Sequence, residues 1–154
     1  MKRAMKIWVD ADACPKAIKE LLYRVAERTG VSITFVANQY LFIPKLPNMD
    51  FILVEAGFDV ADSKIVQLCN EGDMVVTADI PLAVAAIKKG AFALNPRGEL
   101  YDSSNIGEIL ATRDLMDSLR GGLIEQNSGG PAPFSPKDRE KFANSLDKFM
   151  GRKV

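Results

Sequence analysis

Ile7-Trp8-Val9-Asp10-Ala11-Asp12-Ala13-Cys14-Pro15 runs a short apolar segment of β type straight into an aspartate and then into a proline-started helix. The stretch Val75-Val76-Thr77-Ala78-Asp79-Ile80-Pro81-Leu82-Ala83 repeats that construction. Proline suits the first turn of a helix, because the N–H it lacks has no partner there in any case. Each stretch therefore reads as strand, turn and helix start, with a carboxylate at the carboxyl end of the strand. In an open parallel sheet ligands sit at that end, so aspartates brought there by separate strands can converge on one metal ion or phosphate.

Outward from these two stretches, the chain from Met5 to Leu94 alternates short β-type runs with helical ones, the pattern of a parallel α/β sheet. The expected strands lie near 5–10, 32–37, 51–55, 74–78 and 91–94. Between them, Ile18, Leu21, Leu22 and Val25 recur at helical spacing before Gly30, and Ile65, Val66, Leu68 and Cys69 do so before Gly72. Ile80 to Lys89 forms a third helix closed by Gly90. Asn38 to Asp50, with Pro44 and Pro47 and no periodicity, reads as a partner-facing loop. A fourth helix is expected from Ser104 to Leu119, capped by Ser103 or Ser104, and a last one from Ser135-Pro136 through Phe142, Leu146 and Phe149, docking through its aromatics. An irregular connector separates them near 121–136. The whole, 1–154, reads as one domain.

Composition narrows the chemistry. The 154 residues are 47% hydrophobic and 26% charged, the balance of a globular domain with a real core. Lys plus Arg and Asp plus Glu stand at 20 each, so any nucleic-acid contact must come from a local patch. Histidine is absent, which removes Ser-His-Asp and Cys-His catalysis and any histidine-ligated zinc. Cys14 and Cys69 stand too far apart for a CxxC motif and read as packed residues, and a reducing cytoplasm is the expected compartment. Lys2, Arg3 and Lys6 precede an apolar run that Asp10 and Asp12 interrupt, so neither a signal peptide nor a membrane anchor is expected.

Acid, base and metal work thus fall to carboxylates. Asp10, closing a strand buried on both faces, needs a partner or a cation. Asp79 follows its strand in the same way, with Thr77 in reach of a hydrogen bond. Asp12 is open to two readings, a cap for the helix begun at Pro15 or a site residue. Asp59 and Asp62 flank the start of the second helix, one as a cap and the other, with Asp62 favoured, as a ligand. Such carboxylates around one pocket repel each other unless a divalent ion intervenes, and all-oxygen ligation suits Mg²⁺ or Mn²⁺. Hydrolysis at a phosphoryl oxygen is the chemistry that follows. Lys45, Lys88, Lys89, Arg97, Arg113, Arg120 and Arg139 are available for phosphate contacts.

Taken together, Val9 to Pro15, Gly72 to Ala83, Asn95-Pro96-Arg97-Gly98-Glu99, Arg113-Asp114-Leu115-Met116 and Gly130-Pro131-Ala132-Pro133-Phe134-Ser135 resemble the bacterial YaiI/YqxD family. That family is grouped with PIN-like domains, which use clustered acidic residues to hold magnesium or manganese for RNA cleavage. The resemblance implies a PIN-like three-layer α/β sandwich with parallel strand order 3-2-1-4-5. It matches Asp10 and Asp79 to the PIN aspartates and Asp59 or Asp62 to the acidic residue of a central helix. Asn95 falls where PIN nucleases often carry a further acid.

The expected function is therefore metal-dependent hydrolysis of RNA. Asp10, Asp79 and Asp62 are its catalytic candidates, Asp10, Asp59, Asp62 and Asp79 its metal ligands, and Asp12, Thr77, Asn95 and Arg97 its substrate contacts. Two other readings stand beside it. A non-catalytic RNA- or protein-binding module fits Asn95 and the neutral charge. A haloacid-dehalogenase-like phosphatase is suggested by Asp10-x-Asp12 and Gly72-Asp73, although here the strand follows the glycine-aspartate pair instead of preceding it.

Overall fold

The computed structural model describes residues 5–57, 60–122 and 133–151, the side chains of part of the fourth helix excepted. Strands β1 (Lys6–Asp10), β2 (Ser32–Ala37), β3 (Met49–Leu53), β4 (Met74–Val76), β5 (Phe92–Leu94) and β6 (Leu100–Tyr101) form one sheet in the order β3-β2-β1-β4-β5-β6. The first five are parallel, in the expected order, and β6 pairs antiparallel with β5. The helices are α1 (Lys16–Thr29), α2 (Val60–Leu68), α3 (Ile80–Lys88), α4 (Ile106–Gly122) and α5 (Pro136–Gly151).

Side chains alternate across the central strands, and helices cover both faces. Val9, Phe35, Val76 and Leu94 point to the face that packs on Ile18 and Leu22 of α1 and on Phe142 and Leu146 of α5. Trp8, Val36 and Val75 point the other way, onto Ile65 of α2 and Leu82 and Ala86 of α3. Farther along that face, Ala93 and Tyr101 meet Ala83, with Ile106 and Ile109 of α4 beside them. The result is a three-layer α/β arrangement. Each fully buried aliphatic or aromatic side chain contributes roughly 1.5–3 kcal/mol. The final helix docks through its aromatics as expected, with Phe149 edge-on to Phe92 at 5.0 Å.

Three boundaries differ from the sequence reading. β3 begins at Met49, two residues early, because Met49 is buried and its strand is fed by the Asn48 carbonyl, which accepts from Ile33 N–H at 2.9 Å. β4 ends at Val76, so Thr77 and Ala78 lie beyond the ladder, although Thr77 N–H still donates to the Leu94 carbonyl at 3.1 Å. α4 starts at Ile106, since Asp102 organises the preceding turn and accepts from Ser104 N–H at 2.9 Å. β6 is an addition, too short for alternation to reveal it.

The motif Asn95-Pro96-Arg97-Gly98-Glu99 is the turn between β5 and β6. Gly98 has φ of +95°, and a Cβ there would stand 2.7 Å from the Lys141 carbonyl carbon, so only glycine lets the turn approach α5 this closely. Ser145 Oγ donates to the Gly98 carbonyl at 2.6 Å, and Arg97 Nη1 pairs with Asp138 at 2.9 Å. The expected connector falls largely outside the described residues. Among the described residues no helix is long and apolar enough to cross a membrane.

Candidate functional site

Adjacency of β1 and β4, in register from Ile7↔Met74 to Val9↔Val76, places Asp10 beside Thr77 at the carboxyl edge of the sheet. Thr77 Oγ1 donates to Asp10 Oδ2 at 2.9 Å and accepts from Asp79 N–H at 3.0 Å. One buried hydroxyl thus ties the two aspartates' strands together. Asp79 in turn caps α3, its Oδ1 accepting from Leu82 N–H at 3.0 Å. With its proton on Asp10 and a lone pair on Asp79 N–H, Thr77 acts as a positioning residue here.

Asp10 is 7% exposed, and Thr77 is its one side-chain hydrogen-bond partner among the described residues. Strand alternation puts it on the Trp8 face, the side covered by α2 and α3. Its carboxyl is held above the ordinary range chiefly by burial; the Thr77 hydroxyl opposes this, while the charges of Asp12 and Asp79 add to it. A buried acid with two acidic neighbours favours either a proton or a cation. Cys14, just beyond, is pushed up to about 12, mainly by burial, so its thiol is inert and packed.

Asp12 does not cap α1. The N-cap is Pro15, with no side-chain bond, and Asp12 Oδ2 instead accepts from Asn38 N–H at 2.8 Å, 26 residues away. The tie draws the loop after β2 against the site. A cavity of about 320 Å³ opens there, lined by Ala11, Asp12, Lys19, Ala37, Asn38, Gln39, Tyr40 and Leu41.

Asp62 sits in the first turn of α2 and lines a groove of about 440 Å³ with Ser63, Val66, Gln67, Pro81, Leu82 and Ala85, alongside the helix turn that Asp79 caps. Asp59 lies outside the described residues. Among the described residues no three acidic or cysteine side chains stand close enough to enclose a metal ion. The carboxylates gathered at Asp10 are Asp12 and Asp79.

Asn95 and Arg97 belong to the β5–β6 turn. Asn95 Nδ2 donates to Glu99 Oε1 and to Tyr101 Oη, both at 2.9 Å, and its Oδ1 accepts from Arg97 N–H at 2.9 Å and Glu99 N–H at 3.0 Å. Its amide is fully occupied in holding the turn. Of the candidate phosphate contacts, Lys89 closes the end of α2 by donating to the Val66 and Gln67 carbonyls, and Lys45 is exposed in the loop before β3. The side chains of Arg113 and Arg120 lie outside the described residues.

One acid was missed by the sequence reading as a structural residue. Asp73 is fully buried at the amino end of β4, where it accepts from Trp8 Nε1 at 3.0 Å, Asn70 N–H at 2.9 Å and Lys6 N–H at 3.1 Å. It stands at the opposite edge of the sheet from Asp10. The two cannot share a site, which removes the support that Gly72-Asp73 lent to a dehalogenase-like phosphatase.

Residues 8–152 match the family model described as "Uncharacterized BCR, YaiI/YqxD family". The chain is 60% identical over 151 residues to a UPF0178 protein of Maridesulfovibrio salexigens, covering 97% of this chain and 98% of the other. It is 57% identical over 150 residues to one of Syntrophotalea carbinolica, covering 97% and 100%. A UPF0178 protein of Proteus mirabilis is 60% identical over 146 residues, 95% of each chain. No solved structure matches. With a family model spanning nearly its whole length and full-length relatives at this identity, the chain belongs to the YaiI/YqxD family.

Proposed function

We propose that the protein is a divalent-metal-dependent nuclease that hydrolyses RNA phosphodiesters at the carboxyl edge formed by β1 and β4. The observation that carries this reading is Asp10, a buried carboxyl with one hydroxyl donor and two acidic neighbours. A cation is what such a group lacks. Mg²⁺ is commonly held by one or two carboxylates together with waters and substrate phosphates, so a site short of three protein acids fits a metal that the nucleic acid helps to hold. Mn²⁺ suits the same oxygen ligands.

Asp10 and Asp79 would hold the ion, with water and the substrate phosphate as its further oxygens. A bound divalent ion supplies Lewis acidity and an activated water for phosphodiester hydrolysis. The chain's own residues set the geometry. Thr77 fixes Oδ2 of Asp10, the α3 cap fixes Oδ1 of Asp79, and Asp12 anchors the loop that walls the site. Asn95 and Arg97 are better placed to support the turn against α5 than to touch substrate.

The test is cleavage of single-stranded RNA by purified protein in Mn²⁺ against EDTA, with Asp10→Asn alongside. Manganese-dependent products that vanish in Asp10→Asn support the reading. Intact RNA with the wild-type protein across several substrates contradicts it and favours the second reading, a non-catalytic RNA- or protein-binding module. The absence of an enclosing three-acid set among the described residues is what favours that alternative.

A further inference from the structure

Tyr40 and Phe42, 78% and 81% exposed, are the most exposed large apolar side chains among the described residues. They lie in the loop 38–48 between β2 and β3, whose intervening residues behave in the opposite way: Leu41, Ile43 and Leu46 pack against the core. The segment is anchored by alternate residues, which leaves the aromatics facing out. Tyr40 also rests edge-on against Phe51, with ring centroids 5.8 Å apart and planes at 71°. At its root Asn38 is tied to Asp12, and β2 runs in register with β1 up to Asp10↔Val36. The aromatics therefore emerge one strand away from Asp10. Tyr40 and Asp12, the acidic neighbour of Asp10, both line the cavity of about 320 Å³, with Lys19, Asn38 and Gln39 also on its wall. Lys19 forms no ion pair among the described residues.

We infer that this loop is a stacking platform for the unpaired bases of a single-stranded nucleic acid, with Lys19, Asn38 and Gln39 meeting the backbone. The inference rests on the phosphodiester reading of the neighbouring carboxylates, which selects nucleic acid over an apolar peptide as the occupant. Flat exposed rings next to a cation and amide groups match the way single strands are held, by stacking plus backbone contacts. A duplex keeps its bases stacked on each other and offers none to the rings. Because acidic and basic residues balance at 20 each, affinity must come more from stacking than from phosphate neutralisation, and its salt dependence is shallow.

The experiment is fluorescence anisotropy of a short fluorescein-labelled oligouridine titrated with the full chain in EDTA, where metal-dependent cleavage is blocked. Tyr40→Ala/Phe42→Ala weakens binding by roughly ten- to a hundredfold, the range expected when base stacking is removed. Tyr40→Trp retains it. An abasic oligomer binds wild type and double variant equally weakly. Both positions are exposed, and Phe42→Ala alone, which leaves the Tyr40–Phe51 contact in place, shows a smaller loss in an intact fold. Equal binding by wild type and double variant overturns the inference while leaving the nuclease reading standing. Base-dependent binding without cleavage under any metal upholds the platform and overturns the nuclease reading. A wild-type dimer dispersed by the double substitution, with no oligouridine bound, overturns the inference in favour of a second copy as occupant.

Discussion

Asp10 and Asp73 are both buried aspartates on neighbouring strands, one at each edge of the sheet, and they are treated differently. Asp73 accepts from an indole and two backbone N–H groups. Asp10 has one hydroxyl donor and two acids for neighbours. A buried carboxylate surrounded by donors fixes a fold, whereas one left short of donors and crowded by like charge is unfavourable until something positive arrives. The acid at the amino edge is satisfied by the fold, whereas the acid at the carboxyl edge is the one on which the proposed metal site rests.

The largest expected effect breaks the structural side of this comparison. Asp73→Ala leaves buried donors without an acceptor and should destabilise the protein by about 3 kcal/mol or more, read as a lower urea midpoint. Next comes Asn95→Asp, which would supply the further acid of the PIN pattern. It replaces an amide donor by a carboxylate oxygen against Glu99, 2.9 Å away, so a loss of about 2 kcal/mol is expected, with no gain in metal response.

At the carboxyl edge the sign reverses. The native-state carboxyl of Asp10 titrates above its unfolded value. Below the unfolded value both states are protonated and burial of Asp10 carries no charge penalty. As pH rises from there through the native value, the unfolded chain ionises first and stability falls. Asp10→Asn, which keeps an acceptor for Thr77, should therefore raise stability at neutral pH and flatten this part of the pH profile. Urea titrations at several pH values check both. A loss of about 1 kcal/mol is expected for Thr77→Val, which removes the hydroxyl from Asp10 and from Asp79 N–H.

The same two aspartates show what the sequence makes legible. The strand-aspartate-proline construction at Asp10 and Asp79 is local, and the parallel order follows from the alternation of strands with helices, so edge and neighbours could be read in advance. Asp73 could not. Beside Gly72 it suggests only a dehalogenase-like motif, and its structural role depends on Trp8, 65 residues earlier on the neighbouring strand. Of the two readings open for Asp12, the helix cap fails for a related reason, since local capping is outcompeted by an amide 26 residues away. For Asn95 the family pattern suggested a site position, while the contact between Gly98 and α5 turns the amide inward to hold the turn. Between Asp59 and Asp62 the sequence left a choice: Asp62 lines the groove beside the start of α3, and Asp59 lies outside the described residues.

The central claim, that the carboxyl edge accommodates a divalent cation, is tested most directly by the melting temperature of wild type and Asp10→Asn over a Mn²⁺ titration. Ligand bound only by the folded state raises stability by mass action. The account predicts that wild type melts progressively higher as Mn²⁺ is added, while Asp10→Asn, more stable in EDTA, does not respond. A wild-type melting temperature indifferent to Mn²⁺, or an equal rise in the two proteins, would contradict it.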